Sequence, residues 1–195
     1  MSTSGIIYVS PVIFTTEQIN KINQEIQKKF IANNTLEDSS APAPGKKAII
    51  NKISCMDMME FVYPFIGEMR KVNMDLFGYD VYFYLESDSF NYNVYNSETK
   101  DEYYWHTDGT EFGEASDIKL TGILNLSQDS YEGGDFLIFP HYQDTESKEY
   151  KDVLGKFHTP GTIAIFNSTT PHRVLPVVKG KRITLSYWAH GPRWK

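Results

Sequence analysis

From Thr15 onward the apolar positions fall at Ile19, Ile22, Ile26 and Phe30. That three-and-four spacing predicts a helix with one apolar stripe. Thr15 is placed to cap it, with Gln18 as the reciprocal partner of a capping box and Phe14 and Ile19 as a hydrophobic staple. A short apolar strand over 6–14 precedes this helix, which is expected to pack on a sheet. Residues 33–48 are polar, with two Pro and one Gly, and read as a loop. A second helical stripe follows from about Asp57 to Leu76, its buried face marked by Met58, Val62, Phe65, Met69, Val72 and Leu76. Pro64 is expected to kink it or start a new helix, and Gly78 to end it. Its methionines read as core filling.

After Tyr79 the pattern shortens to strands: 81–85, 90–95, 103–107, 118–126, 136–139, 162–166, 173–178 and 183–188. Ile118, Leu120, Leu124 and Leu126 alternate with polar neighbours, as in a half-buried strand. Gly133-Gly134 and Lys179-Gly180 are turn signals. About eight strands at this spacing imply a sandwich or barrel of jelly-roll type. The chain therefore reads as one domain, mainly β with flanking helices: residues 1–78 form the N-terminal strand and supporting helices, and 79–195 the β core.

With 195 residues, 19 basic and 25 acidic, the net charge is −6. That balance argues against nucleic-acid binding. The single cysteine, Cys55, excludes an internal disulfide and any Cys-cluster metal site, so metal ligands would have to be His and carboxylate. No segment has the length and apolarity of a membrane span, and the N-terminus lacks signal-peptide character. A cytoplasmic protein is the expectation. The residues set no oligomeric state.

The chemistry centres on Trp105-His106-Thr107-Asp108-Gly109. On a strand, His106 and Asp108 leave the same face, which suits two ligands of one metal. His172, in Thr170-Pro171-His172-Arg173-Val174, is a third candidate. Two His and one carboxylate form the facial triad of non-haem Fe(II) oxygenases, with open positions for substrates. His141, His158 and His190 sit in poorer contexts for ligation. Arg182 opens a strand on which Arg182, Thr184, Ser186 and Trp188 share one face, and Ile183, Leu185 and Tyr187 the other. A buried cationic face calls for an anion, and a guanidinium pairs with a carboxylate in bidentate fashion. If residues 173–178 and 182–188 form a hairpin, parity requires a three-residue turn at Lys179–Lys181 or a bulge near Pro176. The His172 end is expected to be irregular.

Several stretches together resemble the prolyl 4-hydroxylase-like branch of the Fe(II)- and 2-oxoglutarate-dependent dioxygenases. They are Asn93-Val-Tyr-Asn with Tyr103-Tyr-Trp-His-Thr-Asp, Leu124-Asn-Leu-Ser with Tyr131-Glu-Gly-Gly-Asp-Phe, Gly161-Thr-Ile-Ala-Ile-Phe-Asn with Pro171-His-Arg-Val, and Lys179-Gly-Lys-Arg-Ile-Thr-Leu-Ser-Tyr-Trp. The small size resembles microbial or viral forms. The resemblance implies a double-stranded β-helix (jelly-roll or cupin-like) core with His106, Asp108 and His172 as iron ligands. Arg182 would bind the distal carboxylate of 2-oxoglutarate. Tyr95 would line the co-substrate pocket, Asn125 would touch the co-substrate and Ser186 would support the same carboxylate. Either Tyr103 or Tyr104 would face the site. Implied too are Fe(II), 2-oxoglutarate and O2, with ascorbate as reductant, and hydroxylation of an unactivated C–H bond with release of succinate and CO2.

The resemblance makes a prolyl residue of a protein or peptide the first substrate candidate. Another side chain, a small molecule, or a non-catalytic jelly-roll binding module are the alternatives. The 33–48 loop, residues 95–102 and residues 109–117 are expected to form the rims. Trp105, Arg173 and Trp188 are candidates for substrate contact.

Overall fold

The computed structural model describes residues 7–33, 45–83, 85–111, 113–140 and 144–193. The 33–48 loop falls largely outside this set, as does His141.

The capping box forms. The Thr15 N–H donates to Gln18 Oε1 (2.9 Å), and the Gln18 N–H to Thr15 Oγ1 (3.3 Å). Helix α1 then runs Thr16–Asn33 after a shorter strand than expected, β1 (Ile7–Val9). The stripe Ile19, Ile22, Ile26 and Phe30 is buried. Helix α2 spans Cys55–Val72 and continues through Pro64 instead of breaking there. Pro64 lies on the exposed face, where water can satisfy the carbonyl left without an N–H. The helix ends in a π-helical turn, Asn73–Phe77, closed by Gly78 at φ 66°. This wider turn shifts the inward stripe by one residue: Phe77 is buried and Leu76, expected inward, is exposed.

The strands are β2 (Lys46–Lys47), β3 (Ile49–Ser54), β4 (Ser89–Asn96), β5 (Glu102–His106), β6 (Ile118–Asn125), β7 (Glu132–Gly133), β8 (Phe136–Ile138), β9 (Ile163–Asn167), β10 (His172–Val174), β11 (Val177–Lys179) and β12 (Lys181–His190). A short helix, α3 (Lys148–Val153), precedes a 3₁₀ turn at Gly155–His158. Six strands form the main sheet in the order β1-β9-β6-β12-β4-β3, four form a second sheet, β2-β5-β10-β8, and β11 pairs with β7. One apolar layer joins α1 and α2 to the main sheet. Another fills the space between the main sheet and the second. This two-sheet sandwich is the jelly-roll expected.

Four expectations change. Of the strand expected at 81–85, the described residues form none; Tyr82 makes one isolated bridge with His190. Edge strand β3 and the two-residue β2 appear where none was expected. Strand β6 is buried on both faces, not half-buried, so Lys119 and Thr121 are buried with its leucines. Its far side packs on α2: a methyl at Gly122 would press into Met69 and Phe65. Finally, the expected hairpin does not exist. Residues 172–179 divide at Leu175-Pro176; β10 joins the second sheet and β11 pairs with β7, while Arg182 faces Tyr95 of β4. His172 and Arg182 thus stand on opposing sheets. The irregularity expected near His172 is present as a register shift between His172 and Val174.

Among the described residues, no helix is long and apolar enough to cross a membrane.

Candidate metal centre and the cavity beside it

The pairing of β5 with β10 sets His106 opposite His172. Each histidine donates its Nδ1–H to a main-chain carbonyl two residues earlier. His106 bonds Tyr104 O at 2.8 Å and His172 bonds Thr170 O at 2.9 Å. Those bonds assign the tautomer and leave each Nε2 lone pair for a metal. Asp108 lies just past the end of β5, where its N–H and that of Gly109 both reach the Ser168 carbonyl (3.0 and 2.9 Å). Its carboxylate sits between the rings, 3.7 Å from His106 Nε2 and 3.5 Å from His172 Nε2. The three ligand atoms lie within 4.8 Å of one another. They are too far apart for good hydrogen bonds, but well placed around one ion at about 2 Å from each.

The surroundings favour the ligating forms. Burial, together with His172 alongside, pushes the His106 pKa down to about 4, so the ring is neutral at neutral pH. Tyr103 stacks on His106 with centroids 3.5 Å apart, and Phe166 meets His172 edge-on at 4.7 Å. Thr121 Oγ1 donates to Asp108 Oδ2 at 2.7 Å, fixing the carboxylate from behind.

Across the cavity lies Arg182, 2% exposed. Its guanidinium carbon is 5.4 Å from the Tyr95 ring and 5.6 Å from the Phe157 ring. Its Nη2 is buried without a hydrogen-bond partner, as is Trp188 Nε1. Both residues line the cavity into which the triad faces, an empty volume of about 400 Å³. Unpaired donors of a buried cation are costly, so the observed donor set fits a chelating anion spanning metal and guanidinium.

The alternation read for β12 holds. Arg182, Thr184, Ser186 and Trp188 line the cavity, while Ile183, Leu185 and Tyr187 join the layer under the helices. Tyr95 lines the cavity too, and Ser186 does so while accepting from Asn93 Nδ2 at 3.1 Å. Tyr103 faces inward; Tyr104 points out, 53% exposed. Asn125 departs from expectation. It lies at the end of β6, where the 154–158 turn folds over it. There its Nδ2 donates to Phe157 O (2.8 Å) and its Oδ1 accepts from the Ser127 N–H (3.0 Å). It is not among the residues lining the cavity. Lys46, Asn93 and Thr121 do line it and were missed. Thr121 shares the strand parity of Ile123, a usable signal; Lys46 lies in a span read as loop. His158 and His190 pair instead with Asp135 (2.9 Å) and Asp117 (3.4 Å).

The profile of the 2OG-Fe(II) oxygenase superfamily matches residues 90–190. A PKHD-type hydroxylase of Xylella fastidiosa (strain M12) is 37% identical over 81 residues, which are 42% of this chain and 31% of that protein. The match thus spans about a third of the length of this curated relative. Among solved structures, a viral collagen prolyl hydroxylase from Paramecium bursaria Chlorella virus-1, in complex with 2OG, superposes with a TM-score of 0.66 at 16% identity, covering 95% of this chain and 96% of that one. A non-heme alpha-ketoglutarate-dependent carbocyclase from nogalamycin biosynthesis gives 0.67 at 13% identity, covering 97% and 80%. At those identities the likeness is one of fold.

Proposed function

This chain belongs to the 2OG-Fe(II) oxygenase superfamily, and from that premise we propose that it is an Fe(II)- and 2-oxoglutarate-dependent dioxygenase that hydroxylates a prolyl residue of a protein or peptide. The observation that carries this reading is one cavity shared by the His106–Asp108–His172 triad and a buried Arg182 with an unpaired donor.

Iron and 2-oxoglutarate, when bound, supply with O2 the oxidising power for C–H hydroxylation and leave succinate and CO2. The chain's part is to hold, orient and shield. His106 Nε2, His172 Nε2 and the Asp108 carboxylate would grip the metal on one side and leave coordination positions open. Thr121 holds Asp108 in place. Arg182 would take the far carboxylate through two parallel N–H bonds, with Ser186 as a further polar neighbour. Burial raises the Tyr95 pKa above its ordinary value, so its hydroxyl stays protonated and able to donate. Tyr103, Phe136 and Phe166 pack their rings against the histidines.

The cavity between the triad and Arg182 is narrow and closely lined by side chains, which suits a small diacid. A second, open hollow of about 1,190 Å³ is lined by residues flanking the ligands, among them Thr107, Gly109, Phe139, Pro140 and Pro171. This is where the reading seats the substrate. The prolyl assignment is supported by the fold shared with the viral collagen prolyl hydroxylase. The whole chain acts as one oxygenase domain, and a cytoplasmic location belongs to the same reading.

The test is incubation with proline-rich peptides, Fe(II), 2-oxoglutarate and ascorbate, followed by mass spectrometry. A one-oxygen mass gain on proline, absent with His106→Ala, is the expected result. Oxygen insertion confined to other residues or to small molecules would overturn the prolyl assignment while keeping the oxygenase.

A further inference from the structure

Arg182 is not the only cation that faces the cavity. Lys46 lines it as well, from a distant part of the chain, the two-residue strand β2. Its cross-strand partner is Tyr103 of β5, and such partners point to the same face of a sheet. The pairing therefore turns Lys46 inward, beside the ring that stacks on His106. Its ammonium stands 4.8 Å from the centroid of the Tyr103 ring, within cation–π range. The side chain crosses from there to the opposing sheet, where Nζ donates to Asn93 Oδ1 at 3.0 Å. Asn93 is paired with Thr184 of β12, two residues from Arg182, and its own Nδ2 donates to Ser186 Oγ at 3.1 Å.

We propose that Lys46 is a further co-substrate-binding residue, whose ammonium pairs with the carboxylate of 2-oxoglutarate nearer the metal while Arg182 takes the distal one. This rests on the function proposed above.

A dianion that leaves water for a narrow cavity brings two charges, and each must be met there. Arg182 stands at one end. Lys46 lies against the ring that packs on a metal ligand, which puts it on the metal side of Arg182. The Asn93 amide and the Tyr103 ring are both neutral, so they aim the ammonium without cancelling its charge. They also hold it from both sheets at once, which lowers the entropy that a long side chain loses on meeting a ligand. A lysine suits this place: it acts as a compact point charge, and it leaves the forked, bidentate contact to Arg182. The open hollow assigned to substrate is lined by other residues. The charge of Lys46 is therefore directed at the co-substrate and not at the substrate.

The experiment compares wild type with Lys46→Met, Lys46→Arg and Arg182→Ala. Calorimetry on the Mn(II)-loaded proteins measures binding of 2-oxoglutarate and of 2-oxopentanoate, which keeps the 2-oxo acid end and lacks the distal carboxylate. A separate titration measures Mn(II) affinity. Loss of one charge-assisted contact weakens binding by about 10- to 100-fold. Lys46→Met is expected to weaken both ligands by that factor, with Mn(II) affinity at or above the wild-type value, since an ammonium repels the ion. Arg182→Ala is expected to weaken 2-oxoglutarate alone. Lys46→Arg keeps the charge and is expected to bind both ligands more tightly than Lys46→Met. Wild-type affinity for both ligands in Lys46→Met would overturn the inference. So would a loss confined to 2-oxoglutarate, which would place the ammonium at the distal carboxylate, or a fall in Mn(II) affinity, which would mark damage to the triad. A Lys46→Arg variant no better than Lys46→Met would exclude a role for the charge. Failure of the wild type itself to bind 2-oxoglutarate would instead refute the function on which the inference rests.

Discussion

His106 and His172 are cross-strand partners: their Cα atoms face each other in the β5–β10 ladder, and their ring centroids stand 4.1 Å apart. The separation of two prospective ligands is thus set by backbone hydrogen bonds, not by loop conformation. Replacing either with Ala should abolish metal-dependent turnover and weaken metal binding by on the order of 100-fold or more, since each ligand removed is one of only three. The fold, held by two apolar layers elsewhere, should survive. Metal titration beside a circular dichroism melt of the apo protein checks both halves.

Thr121 should matter almost as much as a ligand. Its hydroxyl gives Asp108 Oδ2 a 2.7 Å hydrogen bond from a residue 1% exposed. Thr121→Val keeps the shape and removes the donor. Metal affinity should fall about 10- to 100-fold, as for other partners that orient a ligand. Thr121→Ser should restore most of it.

Helix α2 packs tightly on β6 at Gly122, beneath Met69 and Phe65. Gly122→Ala forces a methyl into that contact and should destabilise the protein by about 1–3 kcal/mol, measured by urea denaturation. An unchanged midpoint would mean that α2 rides further from β6 than described.

Asp135 makes a prediction about acid. Its pKa is lowered chiefly by the hydrogen bond from His158, with Tyr150 adding to the effect. A carboxyl depressed in the folded state contributes stability above its unfolded pKa of about 3.9, and that contribution is lost as pH falls through the lower, folded value. Wild type should therefore lose stability below about pH 4 more steeply than Asp135→Asn. Parallel curves would contradict the pairing.

How far the sequence revealed these features depended on whether they were local. The Thr15–Gln18 box, the α1 stripe and the inward face of Arg182, Thr184, Ser186 and Trp188 follow from periods of a few residues, and all are present. Asp108 meets His106 as expected, but from beyond the end of β5, where its backbone is held at the Ser168 carbonyl. Non-local pairing was not legible. Nothing in Val177–Lys179 announces that it will pair with Glu132–Gly133 instead of the strand that follows it. The aromatic run at 81–85 has β composition, yet among its described residues only Tyr82 finds a strand partner. Ile49–Ser54 was missed because an edge strand next to a polar loop carries weak alternation. Asn125 was misplaced for a related reason: its strand parity is right, but a turn 32 and 33 residues further along the chain, at Phe157 and His158, takes its amide.

The central claim is that one cavity joins a metal triad to a buried guanidinium that receives a dicarboxylate. Its most direct measurement is succinate formation from 2-oxoglutarate with Fe(II) and O2, compared between wild type and Arg182→Ala over a range of 2-oxoglutarate concentrations. The account predicts turnover by the wild type and a KM for 2-oxoglutarate raised by about 10- to 100-fold in Arg182→Ala, the scale of charge-assisted hydrogen bonds lost, with metal affinity intact. No succinate from the wild type, or an unchanged KM in the variant, would contradict it.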